Sequence, residues 1–347
     1  MNVKNVLFLL FAIFLCVSAC ECGKGKDIPD VSAIPVEVKI RRFEQDLFSL
    51  DTNNIVPGLA KLEESYPEFA PIFFGQILGS TDSTIAPEGH QQYVRGFVSH
   101  STVRKLYDTC QVVYPDLKWL EKDFKQAFQF FKHYFPTQPI SGEVVTYLSE
   151  YTIGGFLYGE NSIGVGLDFY LGENYPYLSY NPSNPNFSQY LTRSFNKNHI
   201  VSKSMRMLVQ DLLGPAKGSR MIDYMLHNGK ELYILDQLLP LVPDSVKLEF
   251  SQQQVDWCNS NESNIWAYFF SEKLLYSTDF NTFRKFVEPS PNSPGMPEEA
   301  PGRTANWLGW QIVKAFMEKN PTTSLEQLVA LTDAQFIMDK SKYKPKK

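Results

Sequence analysis

Apolar residues recur at helical spacing along most of the chain, and the strongest such pattern runs from Asp116 to Phe135. Its apolar positions are Leu117, Leu120, Phe124, Ala127, Phe128, Phe131 and Phe135. This i, i+3, i+4, i+7 stripe predicts a helix with one buried face, with Asp116 as a candidate N-cap and Pro136 as the stop. The aromatic stripe is predicted to be core, and a partner-binding face is the alternative.

The pattern changes to that of strands between Pro139 and Gly172. Apolar residues alternate along Ser162–Leu171, and the Gly159-Glu160-Asn161 sequence before them is typical of a turn, so a hairpin is predicted. Gly164 and Gly166 weaken the strand and indicate a close approach or a bulge. Val36–Ile40 alternates in the same way and predicts another strand.

Helical patterns dominate the remainder of the chain. They cover Arg41–Leu50, Pro57–Tyr66, Val201–Leu213, Ser219–Pro240, Ser251–Leu275, Thr304–Glu318 and Ser324–Leu331. Glu288–Gly302 is a proline-rich loop of a length that is typical of functional or mobile segments. The predicted fold class is therefore α+β, mostly α-helical with a small central, mainly antiparallel sheet.

An apolar run, Val6–Val17, follows Lys4 and precedes Ser18-Ala19-Cys20. The run is shorter than the roughly 20 apolar residues of a membrane-spanning helix and has the length of a signal-peptide core. Small residues before Cys20 are typical of a bacterial lipobox, which predicts a lipoprotein signal peptide at 1–19 and lipid attachment at Cys20. An ordinary secretory peptide cut near Ala19 and an uncleaved membrane helix are the alternatives.

The segment after Cys20 has no hydrophobic periodicity. Residues 20–35 are predicted to be a flexible tether, and residues 36–347 a single globular domain. Two or three acyl chains, such as palmitate, would make Cys20 a durable membrane anchor.

Composition narrows the class of protein further. The 347 residues are 43% hydrophobic and 20% charged, as in globular proteins. Loss of Lys4 with the signal peptide changes the formal charge from −5 to −6, and a mildly acidic chain without basic blocks argues against nucleic acid as a partner. Cys110 and Cys258 form a disulfide or remain core thiols; both alternatives are open at this point.

The usual catalytic motifs are absent from the sequence. No two of the five histidines are four residues apart, so the His-Glu-x-x-His zinc motif is missing, as are Gly-x-Ser-x-Gly and a Walker-type glycine loop. We therefore predict a protein without a cofactor, a metal or an enzymatic activity. A divergent metal site that uses scattered residues such as His199 or His227 is the alternative.

Weaker candidates remain for a polar cleft. Asp168 and Tyr170, with Glu150 and Glu160 near them in sequence, are candidates for an acid/base carboxylate pair, but solvated strand carboxylates are the favoured interpretation.

Arg303 precedes Trp307 and Trp310, a combination that suits anion or sugar binding by stacking. The favoured interpretation is that these residues anchor the last long helix to the core. The overall aromatic content, 18 Tyr, 26 Phe and 5 Trp, leaves a glycan-binding module as a weaker hypothesis.

Segments along nearly the whole mature chain carry a resemblance to a known family. They are Ile40–Asp51, Ile163–Tyr177, Met221–Pro240, Asn261–Asp279, Pro301–Met317 and the closing Lys-Tyr-Lys-Pro. In this order, behind a lipobox, they resemble the GldB gliding-motility lipoproteins. The resemblance implies a zincin-like layout with a degenerate active site, which agrees with the missing metal motif, and it brings no catalytic residues.

The same resemblance implies a function in the cell envelope. Members serve gliding and the associated type IX secretion machinery, so we expect protein–protein interaction with envelope partners, with a zincin-like metallopeptidase or hydrolase as the alternative. Glu21-Cys22-Gly23-Lys24 matches a surface-export signal poorly. We therefore expect a periplasm-facing protein on the outer membrane, with the inner membrane as the alternative.

Overall fold

The computed structural model describes residues 28–180 and 182–346. The predicted signal peptide, Cys20 and the first part of the predicted tether lie outside these residues. The chain divides into two compact units, Met1–Ala33 and Ile34–Lys347, and all helices and strands of the described residues belong to the second. None of the helices in the described part is both long enough and apolar enough to span a bilayer.

Four strands form one mixed sheet in the order β1-β2-β4-β3. They are β1 (Lys39–Arg42), β2 (Glu143–Tyr147), β3 (Gly155–Tyr158) and β4 (Ser162–Gly166). The β3–β4 hairpin is antiparallel and turns at residues 159–161, as predicted. This α+β organisation confirms the predicted fold class.

The prediction of a mainly antiparallel sheet is wrong, because β2 runs parallel to both β1 and β4. Several helices separate β1 from β2, and such a crossover returns the chain to the same end of the sheet. The β3–β4 hairpin then places β4, rather than β3, beside β2. The first strand also begins later than predicted, at Lys39 instead of Val36.

The second strand of the hairpin is shorter than the predicted Ser162–Leu171. It ends at Gly166, and Leu167–Tyr170 forms a 3₁₀ turn. Leu167 and Asp168 are both fully buried, which breaks the alternation of buried and exposed positions that a half-exposed strand requires. Asp168 and Tyr170 therefore lie on a turn at the end of the sheet.

Helices form the remainder of the secondary structure, together with a π-helical turn at Phe73–Ile77 and 3₁₀ turns at Pro185–Phe187 and Lys197–His199. The helices are α1 (Phe43–Phe48), α2 (Ile55–Ser65), α3 (Phe69–Ile72), α4 (His90–Ser99), α5 (Ser101–Val113), α6 (Lys118–Tyr134), α7 (Tyr177–Tyr180), α8 (Gln189–Thr192), α9 (Ile200–Leu213), α10 (Met221–Leu238), α11 (Asp244–Leu248), α12 (Gln252–Ser260), α13 (Glu262–Ser271), α14 (Phe280–Val287), α15 (Thr304–Lys319), α16 (Leu325–Ala330) and α17 (Ala334–Ser341). The predicted helix over Ser251–Leu275 is divided into α12 and α13 at Asn261.

The apolar stripe of the Asp116–Phe135 segment is core, as predicted. The helix itself is α6, and all seven stripe residues, which include Phe124, Phe128 and Phe131, are buried. Asp116 lies just before the helix and accepts a hydrogen bond from the Lys118 N–H at 3.2 Å. The aromatic residues of the stripe are therefore not available as a partner-binding face.

Two long helices of the C-terminal half, α10 and α15, pack with their backbones in contact. A methyl group added to Gly229 would overlap the backbone of Gly309, so neither position has room for a side chain. Trp307 and Trp310 are both about 1% exposed, which confirms that they anchor α15 in the core. This contact fixes the positions of two charged residues described below, Glu231 of α10 and Arg303 before α15.

Candidate functional site

A cavity of about 340 Å³ lies where the start of β3 meets α9. Its walls are mostly apolar and aromatic, with Phe169, Leu191 and Phe195 as the large contributors. Lys203 supplies the one charged side chain among its lining residues. The arrangement is typical of ligand-binding pockets, which combine apolar walls with a few polar groups.

Glycines allow the strand to approach the helix at this place. A Cβ atom at Gly155 would lie 3.1 Å from the Met207 side chain, and one at Gly154 would lie 3.2 Å from the ring of Phe169. The close approach predicted for Gly164 and Gly166 is also confirmed, since a Cβ at either would come within 2.7 Å of a neighbouring residue. The cavity wall is therefore partly bare backbone.

Lys203 connects the cavity to a group of buried charges behind it. Its Nζ lies 3.2 Å from Glu249 Oε2 and 5.3 Å from the ring centroid of Phe195, and its side chain is 25% exposed. We call the residues Arg193, Lys203, Arg206, Glu231, Glu249 and Arg303 the charge cluster. The four cations face two carboxylates, which leaves a formal charge of +2.

Arg206 lies between the two carboxylates of the charge cluster. Its Nη1 donates to Glu231 Oε1 at 2.5 Å, whereas its Nε lies 3.9 Å from Glu249 Oε1, too far for a hydrogen bond. Burial raises the pKa of Glu249, but Lys203, Arg303 and Arg206 outweigh burial and hold it well below its usual value. Glu249 is therefore charged at neutral pH.

Three arginines of the charge cluster also bind the C-terminal end of α11. Arg206 donates to the carbonyl of Lys247, Arg303 to that of Leu248 at 2.8 Å, and Arg193 to that of Glu249 at 2.9 Å. The last carbonyls of a helix lack partners within it and carry partial negative charge, so cations stabilise them. These hydrogen bonds compensate part of the excess positive charge of the cluster. They also attach three segments that are distant in sequence to the end of α11.

His199 adds no charge to this region at neutral pH. Burial, followed by the charge of Lys203, lowers its pKa to about 4, and its Nδ1 lies 3.0 Å from Asn196 Oδ1. In residues 28–180 and 182–346, no group of three or more His, Cys, Asp or Glu residues could hold a metal ion.

Asp168 and Tyr170 lie beside the cavity but do not form the predicted acid/base pair. Tyr170 lines the cavity, whereas Asp168 Oδ2 accepts N–H bonds from Ser149 at 3.2 Å and Tyr151 at 2.7 Å. Its Oδ1 is buried without a hydrogen-bond partner, and burial raises its pKa to about 6. Asp168 thus positions the Ser149–Thr152 loop, whose last two residues line the cavity.

The glutamates predicted to accompany Asp168 are exposed. Glu150 lies in the loop that Asp168 holds, with φ 51°, and Glu160 lies in the hairpin turn. Neither is among the hydrogen-bond partners of Asp168.

Arg303 contributes to charge rather than to stacking on tryptophan. Its guanidinium carbon lies 5.5 Å from the ring centroid of Phe250, and its φ of 61° is uncommon outside glycine. The charge of Glu249 acts on both Arg303 and Tyr170. Tyr170 lines the cavity, Asp168 holds a loop beside it, and Arg303 lies in the charge cluster, so the structure does not show one shared site for the three candidates.

Sequence reasoning missed Arg193, Lys203, Arg206 and Glu249. A signal was present, because residues 193–206 carry four basic residues and no acidic one in a chain that is acidic overall. Glu249 had no comparable signal.

The two cysteines within residues 28–180 and 182–346 are free thiols. Cys110 and Cys258 are both buried, and burial raises the pKa of each. The disulfide alternative is therefore wrong.

Fold and site together define a mostly helical α+β protein with a ligand-sized cavity at the edge of a small sheet. The model of one family, described as gliding motility protein GldB, matches residues 24–345. The chain thus belongs to the GldB family of gliding-motility lipoproteins, and the resemblance inferred from sequence is confirmed. No curated protein and no solved structure matches the chain, so the zincin-like layout stays a prediction.

Proposed function

We propose that this protein is a lipid-anchored envelope lipoprotein that acts by protein–protein interaction in a motility or type IX secretion assembly. The observation that carries the proposal is the family match over residues 24–345, because it covers nearly the whole chain. The lipobox that ends at Cys20 supports the anchor. The outer membrane, with the body facing the periplasm, is the location we propose.

The geometry of the cavity supports binding. Its one charged lining residue, Lys203, already pairs with Glu249, and the nearby carboxylate of Asp168 is bonded to backbone N–H groups. Groups that are held in this way are suited to position a ligand through fixed charge and shape.

Deletion of the gene tests the function. We expect reduced colony spreading in a host that glides, or reduced release of type IX cargo into the medium in any host that has the machinery. Complementation with the wild-type gene restores both, whereas the Cys20→Ala gene restores neither in full. Normal spreading and normal cargo release in the deletion strain would contradict the proposal.

Labelling with a palmitate analogue tests the anchor. Cys20→Ser is expected to abolish the label, and Cys22→Ser, two residues away, serves as the matched control that keeps it. Separation of the membranes on a density gradient then reports the location. A label that persists in Cys20→Ser contradicts the lipobox assignment.

A further inference from the structure

The cavity beside β3 has one cationic lining residue, Lys203, and its other walls are mostly apolar and aromatic. Lys203 reaches the cavity from α9, and the other cations of the charge cluster lie behind it. The cluster keeps a formal excess of two positive charges after both of its carboxylates are counted. Positive charge in a concave, partly buried site concentrates the field and attracts anions.

Two guanidinium nitrogens of the charge cluster make no hydrogen bond. They are the buried Nε atoms of Arg193 and Arg206, of which the second lies 3.9 Å from Glu249 Oε1. Buried donors of this kind are uncommon in folded proteins, and each calls for a physical explanation. Neither arginine lines the cavity, so binding of an anion there would depend on Lys203 and on the net charge of the cluster.

The strand that contributes to the cavity wall has one edge that is not paired with another strand of the described residues. β3 lies at the edge of the sheet and pairs with β4, and its other side pairs with no strand in the part of the chain that the structure describes. Gly155 brings bare backbone to the cavity wall. An exposed sheet edge can bind the backbone of an extended peptide, and pockets along it then bind the side chains.

We propose that this cavity binds the C-terminal residue of a partner protein. The terminal carboxylate lies beside Lys203, and an apolar side chain packs among Phe169, Leu191 and Phe195. The volume of 340 Å³ is at the lower end of the range for ligand pockets, which suits one large apolar residue with its peptide group. This assignment rests on the proposed function, since it names the chemistry through which a partner is bound.

The test uses three small probes and the full-length protein in detergent. N-acetyl-L-phenylalanine imitates an apolar C-terminal residue, its amide lacks the charge, and 3-phenylpropionate lacks the peptide group. Titration calorimetry or ligand-observed NMR measures each affinity. We expect the acid to bind about tenfold more tightly than the amide and several-fold more tightly than phenylpropionate.

Variants locate the site of binding. Lys203→Gln is expected to remove the preference for the acid over the amide, and Lys203→Arg to keep it. Lys122→Gln, on the exposed side of α6, is the matched control and leaves the preference unchanged. An increase in salt weakens binding of the acid to the wild-type protein several-fold, and this measurement needs no variant to fold.

Each remaining outcome overturns the proposal. Equal binding of acid and amide removes the role of charge, and an unchanged preference in Lys203→Gln places the site elsewhere. Equal binding of acetyl-phenylalanine and phenylpropionate assigns the cavity to small free acids instead of a protein terminus. No binding of any probe at about 10 mM removes the site altogether. These results are independent of the gene-deletion assay, so the two proposals fail separately.

Discussion

Two carboxylates near the cavity differ in what surrounds them: the side chain of Asp168 is fully buried, whereas that of Glu249 is 15% exposed. Asp168 is bound by backbone N–H groups, and burial raises its pKa to about 6. Glu249 is surrounded by cations, and its pKa lies well below its usual value although burial acts on it in the opposite direction. Burial alone therefore does not set the pKa of a carboxylate; the opposite charges within reach also act on it.

The comparison also separates two structural roles. Asp168 orders one loop, in which Glu150 and Tyr151 both have positive φ. Glu249 joins segments that are distant in sequence, since the cations around it come from α9, from the chain before α9 and from the start of α15. We expect loss of the first carboxylate charge to be tolerated and loss of the second to be costly.

Glu249→Gln is expected to give the largest effect. It removes a negative charge from a buried group of cations, and removal of one partner from a buried ion pair costs about 3–5 kcal/mol. Urea unfolding at pH 7 measures the change in the free energy of unfolding. Asp168→Asn is the matched comparison, because it also neutralises a buried carboxylate while Asn retains an oxygen that accepts the two N–H bonds. An equal decrease in the free energy of unfolding in Asp168→Asn and Glu249→Gln would contradict the proposed difference between the two carboxylates.

The pH dependence of Asp168 is the next largest effect. Its pKa is raised from 3.8 to about 6 in the folded protein. Its contribution to the free energy of unfolding is therefore fully present below pH 3.8 and is lost as the pH rises through 6. The wild-type protein therefore loses up to about 3 kcal/mol over this window relative to Asp168→Asn. Urea midpoints of both proteins at pH 4, 5, 6 and 7 test this, and parallel curves would contradict it.

His199 is expected to act in the opposite direction with an effect of similar size. Its pKa is lowered from 6.5 to about 4, so the stability it contributes is present above pH 6.5 and is lost as the pH falls through 4. His199→Gln should flatten the acid side of the stability curve by up to about 3 kcal/mol. His133→Gln, exposed on α6, is the control, and an identical change in both variants would assign the effect to histidine content alone.

Lys203→Gln is expected to have the smallest effect on stability. The lysine is 25% exposed, so water screens its pair with Glu249, and a loss of about 1 kcal/mol is expected. Glu249 retains Arg206 and Arg303 near it. Thermal melting followed by circular dichroism checks this, and a loss as large as that of Glu249→Gln would place Lys203 among the main structural residues.

Local patterns were sufficient to predict the hairpin and many of the helices, but α4 (His90–Ser99) and α5 (Ser101–Val113) were not predicted. The α6 stripe and the predicted end of α9 at Leu213 depend on residues close in sequence, and both are found. The parallel pairing of β1 with β2 joins residues about a hundred positions apart, for which no local pattern exists. The early end of β4 depends on Asp168 and its bonds to another loop, which is likewise a long-range contact.

The candidate site residues have positions and partners that the sequence did not predict. Tyr170 lines the cavity and Asp168 binds the loop beside it, whereas Arg303 belongs to the charge cluster and is not a lining residue. The charge cluster assembles from five separate segments, so spacing along the chain carries no information about it. The excess of basic residues in 193–206 was the only local sequence signal for the charge cluster.

The absence of side chains at Gly229 and Gly309 has a consequence for the charge cluster. Glu231 follows the first glycine by two residues, and Arg303 precedes the second by six. The contact between the two helix backbones therefore sets the distance between these opposite charges. A larger residue at either position would increase the separation of the helices, and it would change the electrostatic potential at the sheet edge without replacing any charged residue.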